Sequence, residues 1–208
     1  MTRSDSVAVV LVIALGTTAC SLKPREDPSR FYVLAPAAHA APVETGLAGW
    51  TIGIGPVTLP AYLDRTEIVV RRGENEVAVP EQDRWAEPLT RGLQRVITEE
   101  LTLLLAPQRA LQHPWSSTAG VDFAVRIDVI RFDRDSAGTA VLDARWRIED
   151  GSGNRLVDSR RTHLAEPADG LETGFAVAAQ SRALGALSQE IAGEIRRLAA
   201  ALARSAGS

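Results

Sequence analysis

The chain has 208 residues, 45% of them hydrophobic and 24% charged, which is the composition of an ordinary globular protein with room for one substantial core. Its 23 basic and 26 acidic residues leave a formal net charge of −3, the wrong sign for a general nucleic-acid binder. Cys20 is the single cysteine, which excludes an intrachain disulfide and a cysteine-based zinc site, and His39, His113 and His163 are too far apart in sequence for metal-ligand spacing. No metal or cofactor is expected.

In chain order, Arg3 supplies a positive start and Val7 to Leu15 (VAVVLVIAL) is wholly apolar. A bilayer-spanning helix needs about 20 such residues, so this run has the length of a signal-peptide core instead. Small residues follow, from Gly16 to Ala19, and then Cys20. That order resembles a bacterial lipoprotein signal, in which the cysteine is acylated after cleavage before it; Thr17 departs from the leucine usual at its place. Acyl chains anchor in proportion to the lipid they bury, roughly 0.8 kcal/mol per CH₂, and several chains together hold a protein on a membrane. Ser21 and Leu22, where inner-membrane lipoproteins typically carry Asp, imply export to the outer membrane. Residues 1–19 are therefore read as the signal peptide, residues 20–30 as acylated cysteine and tether, and residues 31–208 as one domain.

Phe31 to Leu34 (FYVL) predicts a short strand, and Ala35 to Gly49 a loop rich in Ala, Pro and Gly. Trp50 to Val57 alternates as a strand, with Gly53 and Gly55 signalling a bulge or a close backbone approach. Leu59 to Arg65 reads as a turn, and Glu67–Arg72 and Glu76–Val79 as a hairpin across Gly73-Glu74-Asn75. Leu89, Leu93, Val96, Ile97, Leu101 and Leu104 then recur at helical steps up to Pro107, with Asp83 the candidate N-cap. From Val121 the period returns to two, and a change of parity at Ile130 predicts a bulge. The run from Leu142 to Ile148 and, after Asp150-Gly151-Ser152-Gly153-Asn154, the run Arg155 to Leu164 complete a meander with one wet face. Val177, Leu184, Ile191 and Leu198, seven apart, mark a final helix from about Glu172 to Ala203. Strands grouped and helices segregated predict an α+β fold, a mostly antiparallel sheet with two amphipathic helices on one face.

Enzymatic chemistry finds little support. Gly151-Ser152-Gly153 lacks the spacing of a nucleophile elbow, and the only lysine, Lys23, sits in the tether, so there is no phosphate-binding loop of the Walker type. His163 could serve as a base, but a half-exposed strand histidine is the simpler reading, and His113 before Pro114-Trp115 reads as a loop residue. Asp128, Asp143, Glu149 and Asp150 interleave with Arg126, Arg145 and Arg147, the pattern of cross-strand ion pairs on a solvated face. The same arginines could meet lipid phosphates or an acidic partner.

Ile52-Gly53-Ile54-Gly55-Pro56-Val57-Thr58-Leu59-Pro60-Ala61-Tyr62-Leu63-Asp64-Arg65, Ile68 to Arg71, Phe31 to Leu34 and Arg84-Trp85-Ala86-Glu87-Pro88-Leu89 resemble, in order, the ABC-type transport auxiliary lipoprotein family. The resemblance implies a non-catalytic outer-membrane lipoprotein facing the periplasm. Its expected partners are a membrane-bridging MCE-domain protein, with an inner-membrane permease and ATPase, and further copies of itself in a homo-oligomeric ring; no nucleic acid is expected. Pro60, Tyr62, Leu63, Asp64, Arg65 and Trp85 are the candidate contact residues, with core packing of Tyr62, Leu63 and Trp85 as the competing assignment. A periplasmic carrier holding an acyl chain between helix and sheet, and a purely structural envelope lipoprotein, are the alternatives.

Overall fold

A computed structural model describes residues 27–37, 47–116 and 120–206. The signal segment, Cys20, the first part of the tether, His39 and most of the predicted Ala35–Gly49 loop lie outside the described residues.

The elements are β1 (Arg30–Tyr32), β2 (Thr51–Thr58), β3 (Val70–Arg71), β4 (Val77–Ala78), β5 (Asp83–Trp85), α1 (Leu89–Leu105), β6 (Arg109–Gln112), β7 (Phe123–Arg134), β8 (Thr139–Glu149), β9 (Arg155–Pro167) and α2 (Thr173–Ala206). The main sheet runs β6-β2-β7-β8-β9. Its longest ladders, β7 with β8 and β8 with β9, are antiparallel, while β2 pairs in parallel with both β6 and β7. Near its far end β7 also takes β3 in parallel, through Val70 and Arg134, and β3 forms the expected hairpin with β4. The parity change at Ile130 is a bulge, where the β7–β8 register slips between Val129 and Arg131.

Both helices cover one face of the sheet, α1 over β2 and β6, α2 over β8 and β9. The reason is the alternation read above. Phe123, Val125, Ile127, Leu142, Trp146 and Ile148 point inward and meet Leu93, Ile97, Leu101, Leu184, Leu187 and Ile191, all essentially fully buried. Each such side chain contributes about 1.5–3 kcal/mol through burial. The layer where an acyl chain would have to lie is thus filled with side chains. Trp146 is satisfied by donating its indole N–H to Thr162 Oγ1 at 3.0 Å, and that hydroxyl donates to Glu190 of α2 at 2.6 Å.

Asp83 is not a helix cap. Pro88 occupies the N-cap of α1, without a side-chain cap bond, and Asp83 belongs to β5, buried to 5% exposure. Its carboxylate accepts hydrogen bonds from Arg30 Nε at 2.9 Å, Tyr32 Oη at 3.3 Å and Thr173 Oγ1 at 2.6 Å. One acid therefore ties β1, β5 and the start of α2 together. β1 and β5 themselves pair in parallel, and Ile68 and Trp85 amides bond across to Asp83 and Thr66 carbonyls on the other edge of β5. Beyond β1 the chain crosses the helix pair: Leu34 is buried, its carbonyl accepts from Arg95, and the Ala35 amide donates to Ser181 of α2.

The glycines of β2 serve a close approach. A Cβ on Gly53 would stand 2.8 Å from the Trp115 ring, and Gly55 has a φ of +111°, open to glycine at no steric cost. The β2–β7 register slips between Ile54 and Val57, the irregularity those glycines predict.

Candidate functional site

The two longer blocks of the resemblance, Ile52–Arg65 and Arg84–Leu89, are separated by the β3–β4 hairpin, yet the end of the first, Leu59–Arg65, folds against the second. A turn bonded from the Leu63 amide to the Pro60 carbonyl at 2.9 Å reverses the chain after β2. Thr66 then accepts from the Trp85 amide at 2.7 Å, which brings the blocks side by side. Between them opens a cleft of about 330 Å³ lined by Asp64, Arg65, Thr66, Trp85, Ala86, Glu87, Pro88 and Leu89.

The turn distributes its side chains three ways. Leu63 is 2% exposed and belongs to the core, so it offers no surface to a partner. Tyr62 turns to the opposite side of the segment, half-buried, where the Arg71 guanidinium lies 5.8 Å from its ring centroid. Burial, reinforced by the nearby Asp133 charge, pushes the Tyr62 phenol above its ordinary range. Asp133 is fully buried and accepts from Arg71 Nε at 3.1 Å and Arg131 Nε at 2.8 Å, so this corner is a satisfied charge cluster against the bulge. Asp64 and Arg65 are exposed at the mouth of the cleft, and Pro60 is partly exposed at the turn. Trp85, 6% exposed, stacks on Phe132 and shows only an edge to the cleft. Of the six candidates, then, Asp64 and Arg65 are exposed, Arg65 pairing with Glu67 at 3.3 Å, Pro60 and Tyr62 present part of their surface, and Leu63 and Trp85 are core.

Glu87, which lines the cleft, and Arg95, which holds it, are site residues that sequence reading missed. Arg95, one α1 turn and more beyond, donates to Glu87 Oε1 at 2.7 Å, to Glu99 at 3.4 Å and to the Leu34 carbonyl at 2.9 Å. It fixes the wall of the cleft to the crossing segment. A spacing of eight residues, which leaves Glu87 before the helix and Arg95 within it, gave no helical-pair signal.

The outer sheet face carries most of the expected ion pairs, but Asp150 instead accepts from the Ser152 and Asn154 amides in the β8–β9 turn. Arg161 grips Asp143 through two nitrogens at 2.8 and 2.5 Å, while Arg126 and Arg147 converge on Glu149 at 2.5 and 2.7 Å. Hydrogen bonding by Arg161 holds the Asp143 carboxyl below its usual range. For Glu149 burial acts upward, but the bonds from Arg147 and Arg126 outweigh it and the net direction is down. His163 Nδ1 lies 3.8 Å from Asp143 on this exposed face. His113 is a loop residue with its ring edge-on to Trp115. Among the described residues no group of three His, Cys, Asp or Glu side chains is placed to hold a metal ion, and no helix is long and apolar enough to cross a membrane.

Comparison with known proteins gives the fold and the family. A crystal structure of a protein from Xanthomonas campestris superposes with a TM-score of 0.71 at 22% identity, covering 85% of this chain and 99% of that one. A second, of an uncharacterized protein, gives 0.66 at 18%, covering 80% and 98%. A minor lipoprotein from Acinetobacter baumannii aligns more loosely, at 0.38 and 15% over 70% and 91%. No curated protein matches the sequence. The model of the ABC-type transport auxiliary lipoprotein component matches residues 32–192, from the β1 strand to the middle of α2 and across both walls of the cleft, and the chain belongs to that family.

Proposed function

We propose that this auxiliary transport lipoprotein is a non-catalytic, lipid-anchored docking subunit of an intermembrane lipid transport system. Acyl chains on Cys20 hold it at the periplasmic face of the outer membrane. Its α+β body receives a membrane-bridging MCE-domain protein, whose inner-membrane permease and ATPase drive transport, and copies of the body assemble around that partner. The observation that carries this reading is the convergence of the two family blocks on one cleft, with Asp64 and Arg65 exposed at its mouth and a rigid floor of Trp85, Pro88 and Leu89. A preorganised concave surface with charge at the rim loses little conformational entropy on docking and gains specificity from the charges. The alternative of a carrier with an acyl chain between helix and sheet has no support from a layer occupied by Phe123, Trp146, Leu93 and Ile97.

The test is a charge swap. Asp64→Lys with Arg65→Glu keeps net charge and touches no core residue. Pull-down of the MCE partner from envelope extracts is expected to fall at least tenfold, with an unchanged melting temperature. Full retention of the partner by the swapped protein would remove the cleft from the docking surface.

A further inference from the structure

The end of the molecule from which the N-terminal segment leaves is unusually apolar. Phe31 is 63% exposed, Val33 55%, Leu171 68% and Phe175 42%. Two short stretches supply all four, and the fold holds those stretches together: Tyr32 and Thr173 both donate to Asp83, and a Cβ on Gly174 would stand 4.0 Å from the Tyr32 ring. Because side chains alternate along β1, Tyr32 and Leu34 turn inward while Phe31 and Val33 face out. Leu171 lies over the β7–β8 turn, 3.4 Å from where a Gly138 Cβ would be, at the same end. The opposite end is different in kind, since the β8–β9 turn exposes Gly151, Ser152, Gly153 and Asn154.

We propose that this end is a membrane-seating surface, on which Phe31, Val33, Leu171 and Phe175 enter the headgroup layer of the bilayer that anchors the chain. The inference rests on the lipid-anchored reading of Cys20. The occupant follows from where the chain ends: the path from Cys20 to Asp27 is about 23 Å when fully extended, at roughly 3.3 Å per residue. A body tethered that closely, rooted at β1, keeps its root facing the lipid. Large aromatic and aliphatic side chains there bury apolar area that water otherwise covers, and they fix the tilt of the body, which the tether alone leaves free.

The experiment uses the full lipidated chain with Leu171→Cys, purified from membranes and labelled with an environment-sensitive maleimide; the acylated sulfur of Cys20, being a thioether, does not react. The protein is placed in vesicles of phosphatidylethanolamine and phosphatidylglycerol, with Ser152→Cys as the far-end control. The 171 probe is expected to shift its emission to the blue and to lose at least half its intensity to spin-labelled lipid, while the 152 probe does neither. Intact mass of the same samples reports acylation separately. An acylated chain whose 171 probe is as water-exposed as the 152 probe overturns the seating alone; a chain without acyl groups overturns the anchored reading and the seating with it. A blue shift that grows with protein concentration in the soluble Cys20→Ala, Leu171→Cys protein, without lipid, assigns the surface to a second copy and likewise overturns the proposal.

Discussion

Replacing Asp83 with alanine removes the acceptor shared by β1, β5 and α2, and its cost can be worked from the geometry. The Thr173 bond is buried, 2.6 Å long, and leaves behind a hydroxyl whose residue is 5% exposed. A hydroxyl bond to a carboxylate contributes about 1.5 kcal/mol net, and an unsatisfied buried donor adds roughly another 1–2 kcal/mol. The Arg30 contact adds little, because its side chain is 59% exposed and water screens it, and the Tyr32 bond at 3.3 Å is long. The expected loss is about 3 kcal/mol, which for a chain of this size lowers the melting temperature by roughly 6–12 °C. Asp83→Asn keeps an oxygen for Thr173 and should cost about half as much. Urea unfolding followed by tryptophan fluorescence reads both values, and native-state hydrogen exchange adds a local readout. The Ala86 amide, which donates to the Tyr32 carbonyl, should exchange faster in the alanine variant than amides at the centre of β8. A loss under about 1 kcal/mol, or equal losses for Asn and Ala, would refute the assignment of Asp83 as the tie among these elements.

Leu63→Ala is expected to lose about 2–5 kcal/mol on urea unfolding, because the side chain is 2% exposed, so any partner loss it causes tracks unfolding, unlike the Asp64/Arg65 swap. Cys20→Ala should move the protein from the membrane pellet to the soluble periplasmic fraction, and a variant that still pellets would refute the anchor. Asp143 and Glu149 have folded pKa values below their ordinary 3.8 and 4.5, so their stabilisation is complete above about pH 5 and is lost as pH falls through the folded values, below about pH 4. Arg161→Gln removes the main cause for Asp143 and should flatten the fall of the urea midpoint below about pH 4; parallel curves would contradict the pairing. Gly53→Val should displace Trp115 and red-shift the tryptophan emission, since the added atoms would overlap the ring.

Periodicity made most of the architecture legible. The stripe on α1, the three strands of the meander and the seven-residue steps on α2 were plain because each element records its own burial along its own length. The bulge at Ile130 was readable for the same reason, as a change of parity in one strand. What failed to show were features fixed by remote neighbours. Asp83 satisfies the local description of a helix cap, yet its partners Arg30 and Thr173 lie 53 and 90 residues away. The strand β6 and the parallel pairs of β2 and β1 are short segments whose partners carry no adjacent signal. In the candidate site, the sequence marked two blocks that fold against each other but not their division of labour: a turn that begins at Pro60 puts Tyr62, Leu63 and Asp64 on three different sides, and a list of motif residues treats them alike.

The parallel pairing of β1 with β5 has a mechanical consequence. A body tethered through its N-terminus transmits any pull from the membrane along the axis of β1. The bonds linking Arg30, Tyr32 and Ala86 across that pair bridge the two strands at a slant, so tension along β1 loads them in shear, together, instead of unzipping them in turn. If Cys20 carries the lipid as proposed, the first joint between anchor and domain is one that bears load.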